Sequence, residues 1–135
     1  MAEPPTAETV QLFRRATGLG WMASKRFLIE ESPELCARII RAGEEQGRSH
    51  GLHDPLEGDP AFAADIAAAR ERAMSIARWQ ITRHNRRWVA LGSSLKSVDG
   101  SRDLPLLRDV IMQKLLQRKG IRWYRPMEMN PGTAY

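Results

Sequence analysis

The stretch DPAFAADIAAARERAMSIARWQITRHNRRWVALG, residues 59–92, decides how this chain is read. Asp59-Pro60 places a capping side chain before the residue best suited to a first helical turn. From Phe62 onward, apolar or small residues fall at 62, 66, 69, 73, 77, 81, 84, 88 and 91. Steps of three and four make one continuous stripe on a helix, and no glycine or proline interrupts it before Gly92. The spacing predicts a helix over 60–91, the central strut of a chain of 135 residues. Ile81, His84 and Trp88 share the stripe with Phe62, Ile66 and Ala73 and are expected to face the core.

Shorter elements flank the strut. Thr6 supplies a hydroxyl cap for a helix carrying Val10, Leu12 and Phe13 inward, and Thr17-Gly18-Leu19-Gly20 stops it. A second helix follows from Trp21, with Phe27 and Leu28 inside. Ser32-Pro33-Glu34 then combines a cap, a proline at the first helical position and an acid at the positive helix end. The third helix carries Leu35, Ile39 and Ile40. Residues 47–59, GRSHGLHDPLEGD, hold three glycines and a proline and read as a loop. Beyond the strut, SSLKSVDGSRD at 93–103 is a polar connection, Pro105 opens a helix carrying Leu107, Val110, Ile111 and Leu115, and Gly120 ends it. The expected architecture is all-α: a compact bundle of about five helices around one long central helix, with an extended aromatic C-terminal tail. Its parts are a flexible tail at 1–6 and a single helical domain at 7–135. The domain comprises a hairpin at 7–31, helix 33–46, loop 47–59, long helix 60–91, helix 105–119 and tail 120–135.

Hydrophobic residues make up 42% of the chain and charged residues 27%, which excludes wholesale disorder. No apolar run is long enough to span a bilayer, and MAEPPTAETV lacks the layout of a signal peptide. Cys36 is the single cysteine, so there is no internal disulfide, and a cytoplasmic protein without a membrane partner is expected. The charge is unevenly spread. Residues 1–65 hold 7 Lys/Arg against 11 Asp/Glu, whereas residues 66–135 hold 14 against 5. Cations concentrated in one half point to an anionic partner, either nucleic acid or an acidic protein surface. The acidic half docking on the basic half within one molecule would give the same signature.

On the strut, Arg72, Trp79, Arg83 and Arg86 recur at steps of seven, four and three and so share a flank away from the core stripe. A tryptophan among arginines suits phosphate contact with ring stacking. The plainer alternative is that the arginines merely shield Trp79. Lys114, Arg118 and Lys119 add positive charge near the end of the last helix, where they also complement its dipole. In the central loop, His50, His53 and Asp54 are weak metal candidates, since H-x-x-H-D is no helical ligand pair; turn-making and capping are the alternative roles. There is no G-x-S-x-G, no phosphate-cradling glycine loop and no evident carboxylate pair, and Cys36 sits among apolar neighbours. A non-enzymatic protein without a cofactor is expected, with a metal-dependent enzyme a distant third reading.

The segment TVQLFRRATGLGWMASKRFLIE, residues 9–30, resembles the helix-turn-helix in the C-terminal domain of the bacterial ribosomal stalk protein. Thr17, Gly18, Leu19, Gly20 and Lys25 fit that pattern, whereas Met22 stands at the family's first lysine and Ala23 at its following acid. The resemblance covers about a sixth of the chain. It implies a hairpin presenting Trp21, Lys25 and Arg26 to a partner, since the family's second helix helps recruit translation factors. The plainer reading of Trp21, favoured over partner contact, is that it plugs the end of the core. The tail offers Trp123, Tyr124, Met127, Met129 and Tyr135, which favour a protein interface unless they cover the chain's own core. Two readings therefore lead: a nucleic-acid or nucleoprotein binder, and an adaptor or inhibitor docking on an acidic protein.

Overall fold

A computed structural model describes residues 3–90 and 100–133. The chain is all-α. The elements are α1 (Ala7–Thr17), α2 (Trp21–Glu30), α3 (Pro33–Gln46), a 3-10 turn (Pro55–Gly58), α4 (Ala63–Ala90), α5 (Gly100–Arg118) and α6 (Pro126–Met129), with no strand among the described residues. Leu91, residues 93–99 of the expected connection, the side chain of Trp88 and Tyr135 lie outside them. Two units divide the chain, Met1–Asp59 with Tyr124–Tyr135, and Pro60–Trp123.

The first unit is built on local capping. Thr6 Oγ1 accepts from the Thr9 N–H at 3.1 Å, and Ser32 Oγ from the Leu35 N–H at 3.1 Å, so α1 and α3 begin where their hydroxyls saturate free amides. Gly18 closes α1 at φ 74°, a left-handed conformation that only glycine adopts at little cost. Thr17 locks the turn, donating to the Phe13 carbonyl at 2.8 Å and accepting from the Leu19 N–H at 3.2 Å. The core gathers Phe13, Ala16, Leu35, Ile39, Ala42, Leu52, Tyr124 and Met129. Phe13 and Phe27 lie 5.0 Å apart between ring centroids. α1 approaches α3 so closely that a Cβ on Gly43 would sit 2.5 Å from the Ala16 Cβ and 2.8 Å from its Cα. Residues 121–125 carry no regular structure, and Pro126–Met129 make one helical turn.

In the second unit α4 packs along α5. The buried residues are Ile66, Ala69, Ala73 and Ala77 on α4 and Met112 and Leu116 on α5, so the predicted stripe does face a partner helix. Three departures from the sequence reading have physical causes. α4 starts at Ala63, because Pro60–Phe62 form a turn and the Phe62 carbonyl accepts the first helical bond, from Ile66 at 2.9 Å; the Asp59 N–H instead closes the preceding 3-10 turn on Leu56. α5 starts at Gly100, which leaves Pro105 inside the helix but on its exposed side. His84 is exposed rather than in the core, and Ile81 is half-buried. Small alanines let α5 approach closely between Ala69 and Ala77, but farther along, a cavity of about 240 Å³ opens among Gln80, Ile81, His84, Asp103 and Leu107.

Candidate nucleic-acid interface on the long helix

Because α4 turns once every ~3.6 residues, Arg72, Trp79, Arg83 and Arg86 project within about 60° of arc. All four are exposed. The Arg83 guanidinium lies 5.2 Å from the Trp79 ring centroid, the geometry of a cation–π pair. The shielding expected of the arginines is partial, since Trp79 keeps 59% of its surface open. Among the described residues, no salt bridge engages Arg72, Arg83 or Arg86. An indole face with guanidiniums beside it can stack on a flat ring while they donate to phosphate oxygens. The unit as a whole supports this field, since residues 60–123 hold 13 Lys/Arg against 5 Asp/Glu.

The other sequence-chosen residues fall elsewhere. Trp21, Lys25 and Arg26 are exposed on α2, and the Arg14 guanidinium sits 5.9 Å from the Trp21 centroid. Trp21 is 41% exposed, so it lies at the surface and does not plug the core. Met22, Lys25, Arg26, Ile29 and Glu30 line a shallow cavity of about 270 Å³ on the same helix. The steps between Met22, Lys25 or Arg26, and Ile29 place them on one outward face.

The central loop holds a structural knot. Asp54 is 1% exposed, and its carboxylate accepts from Arg38 Nη1 at 2.9 and 2.8 Å, from the Leu56 N–H at 3.0 Å and from the Tyr124 N–H at 2.8 Å. Its lone pairs are occupied by these donors, which corrects its reading as a metal ligand. His50 and His53 remain exposed, His53 within 3.9 Å of Glu57, and among the described residues no cluster of three potential metal ligands forms. Asn130, which nothing in the sequence singled out, anchors the same loop. Its amide accepts from the Leu52 N–H at 2.7 Å and donates to the Leu52 carbonyl at 2.9 Å and the Pro126 carbonyl at 2.7 Å.

Trp123 and Tyr124 are corrected as interface residues. They are 2% and 7% exposed, because covering their large apolar faces is worth more within the fold than at its surface. The Trp123 carbonyl accepts from Gln113 Nε2 at 3.1 Å, and the Tyr124 ring lies 5.2 Å below the Arg38 guanidinium. Cys36 is buried, and its thiol is pushed up to about 11, first by burial and then by the charge of Glu31. That makes it a poor nucleophile at neutral pH.

Fold and surface together define an all-α protein whose basic unit exposes an arginine–tryptophan flank. Comparison with known protein families, characterised proteins and solved structures gave no match. Among the described residues no helix is long and apolar enough to cross a membrane.

Proposed function

We propose that this chain is a non-enzymatic binding protein of the cytoplasm that holds nucleic acid, free or within a nucleoprotein assembly, against the outer flank of α4. The observation that carries the reading is the joint exposure of Arg72, Trp79, Arg83 and Arg86 on one arc, with Trp79 still 59% open beneath Arg83. Guanidiniums there neutralise phosphate and release counterions, and the indole stacks on a base without regard to its identity. The unbalanced charge of residues 60–123 extends the attraction beyond the four residues.

Fluorescence anisotropy with labelled generic RNA and DNA, at low and near-physiological salt, tests this. The expected result is binding whose affinity falls by several log units per log unit of salt. Arg83→Ala and Arg86→Ala should each reduce that slope by about one. Absence of binding even at low salt overturns the reading.

A second reading rests on α2. Trp21, Met22 and Ile29 are three of its ten residues, all large and all exposed, with Lys25 and Arg26 between them. Apolar anchors flanked by cations suit an acidic, amphipathic protein segment, and the resemblance of residues 9–30 to the stalk-protein hairpin leans the same way. Met22→Glu with Lys25→Glu should abolish capture of such a partner and leave nucleic-acid affinity unchanged.

A further inference from the structure

Arg72 belongs to more than the exposed flank. It also lines a groove of about 310 Å³ between α4 and α5, together with Ala68 and Ala69 from α4, Leu115 and Arg118 from α5, and Lys119 just beyond it. We infer that this groove seats the phosphodiester backbone of a single-stranded nucleic acid, whose path then follows α4 to an unpaired base stacked on Trp79. The inference rests on the proposed function and adds the form of the ligand and a second set of contacts.

Three observations carry it. The groove's three cations come from α4 and from the C-terminal end of α5 with the residue after it. Arg118 and Lys119 complement the dipole at the end of α5, but that cannot account for Arg72, which projects from the middle of α4 into the same space. The cations are also poorly neutralised. Among the described residues Arg72 and Arg118 join no salt bridge, and Lys119 meets Asp65 only at 3.5 Å, with both side chains about half exposed at 54% and 49%. Such a surface pair yields readily to a phosphate. The groove on the opposite side of α4 differs, since it includes Glu71 and its Arg108 is tied to Asp109 at 3.0 Å.

The floor is the second element. Ala68 and Ala69 fill little of the channel, so a backbone can lie against α4 itself with cations on the rim. Direction is the third. Ala68, Arg72, Trp79, Arg83 and Arg86 share one arc, and Trp79 stands ~10 Å along the axis from both Arg72 and Arg86. Phosphate contacts therefore lie on both sides of the stacking ring. A duplex keeps its bases paired and stacked and presents no free face to an indole, so the tryptophan selects a strand with open bases.

The full chain is titrated into a labelled single strand of about 12 nucleotides and into the same sequence as a duplex, at several salt concentrations. The single strand is expected to bind at least tenfold tighter. Trp79→Ala should weaken it roughly 5- to 150-fold, and Trp79→Phe should restore most of the loss. Arg118→Ala with Lys119→Ala, both on exposed side chains, should lower the salt slope by about two, with helical circular dichroism unchanged. Equal affinity for duplex, unmoved by Trp79→Ala, overturns the single-strand inference but leaves phosphate binding by α4 standing. An unchanged salt slope in the Arg118/Lys119 variant removes the groove alone. No binding to either probe overturns the inference and the function beneath it together.

Discussion

Replacing Asp54 with alanine tests the first unit at its most connected buried point. The substitution removes the buried Asp54 carboxylate from Arg38, whose side chain is 14% exposed, and leaves the Leu56 and Tyr124 amides without that acceptor. Breaking a buried ion pair from one side costs about 3–5 kcal/mol, and the orphaned amides push toward the upper end of that range. Against a domain stability of about 5–15 kcal/mol, this is a third or more of the total. With a urea dependence of about 1–3 kcal/mol per molar, the midpoint should fall by roughly 2 M. Asp54→Asn should lose at least half as much, because one amide oxygen and an added NH₂ group then face four donor contacts. Urea titrations followed by far-ultraviolet circular dichroism measure the midpoint. Amide exchange at Leu56 and Tyr124 locates the damage. Arg38→Leu combined with Asp54→Leu should be less destabilised than the two single changes together, since the pair is then removed from both sides at once. A midpoint within about 0.3 M of the parent for Asp54→Ala would refute the reasoning and reduce Asp54 to an ordinary turn residue.

Two further outcomes follow from the same unit. Gly43→Ala should destabilise by about 1–3 kcal/mol although alanine favours a helix by about 1 kcal/mol, because its Cβ meets Ala16 backbone; thermal melts read the sign, and a raised midpoint would contradict the close α1–α3 approach. Cys36 should react with a disulfide reagent near pH 8 far more slowly in the folded than in the urea-unfolded chain. Its thiol, pushed up to about 11, should also make stability fall as pH rises from about 9 toward 11, where the unfolded state has lost the proton and the folded state keeps it; urea midpoints across that range check it.

Features set by neighbours in the chain are legible in the sequence. Ser32-Pro33 caps α3, which spans Pro33–Gln46 as its capping and glycine signals require, and the Thr17–Gly20 stop sits where its left-handed glycine is needed. The α4 stripe was legible for the same reason, since helical period alone chooses a face. What the period does not contain is how far the neighbouring helix keeps close, so His84 was placed in a core that opens into a cavity before reaching it. The residues next to Asp54 in the sequence invite both a turn-former and a metal ligand. Its deciding partners, Arg38 and Tyr124, lie 16 and 70 residues away. Asn130 carried no signal, its partner Leu52 being 78 residues distant. The arginine–tryptophan flank follows from spacing on one helix; the groove needs the register of a second helix and was invisible until α5 lay beside α4.

The bonds from Asp54 to Tyr124 and from Leu52 to Asn130 also impose an order in time. On a ribosome adding ~5–20 residues per second, the 70 residues from Asp54 to Tyr124 take about 4–14 s to appear. Through that interval α1, α2 and α3 wait with the Asp54 carboxylate unmatched by Tyr124 and the seats of Tyr124 and Met129 vacant. The α4–α5 pair lies wholly within the intervening segment and can close on itself during the wait. Doing so shortens the span that must be looped to bring residue 124 back to residue 54. The helices synthesised first are thus completed only after residues 124–130 have been made.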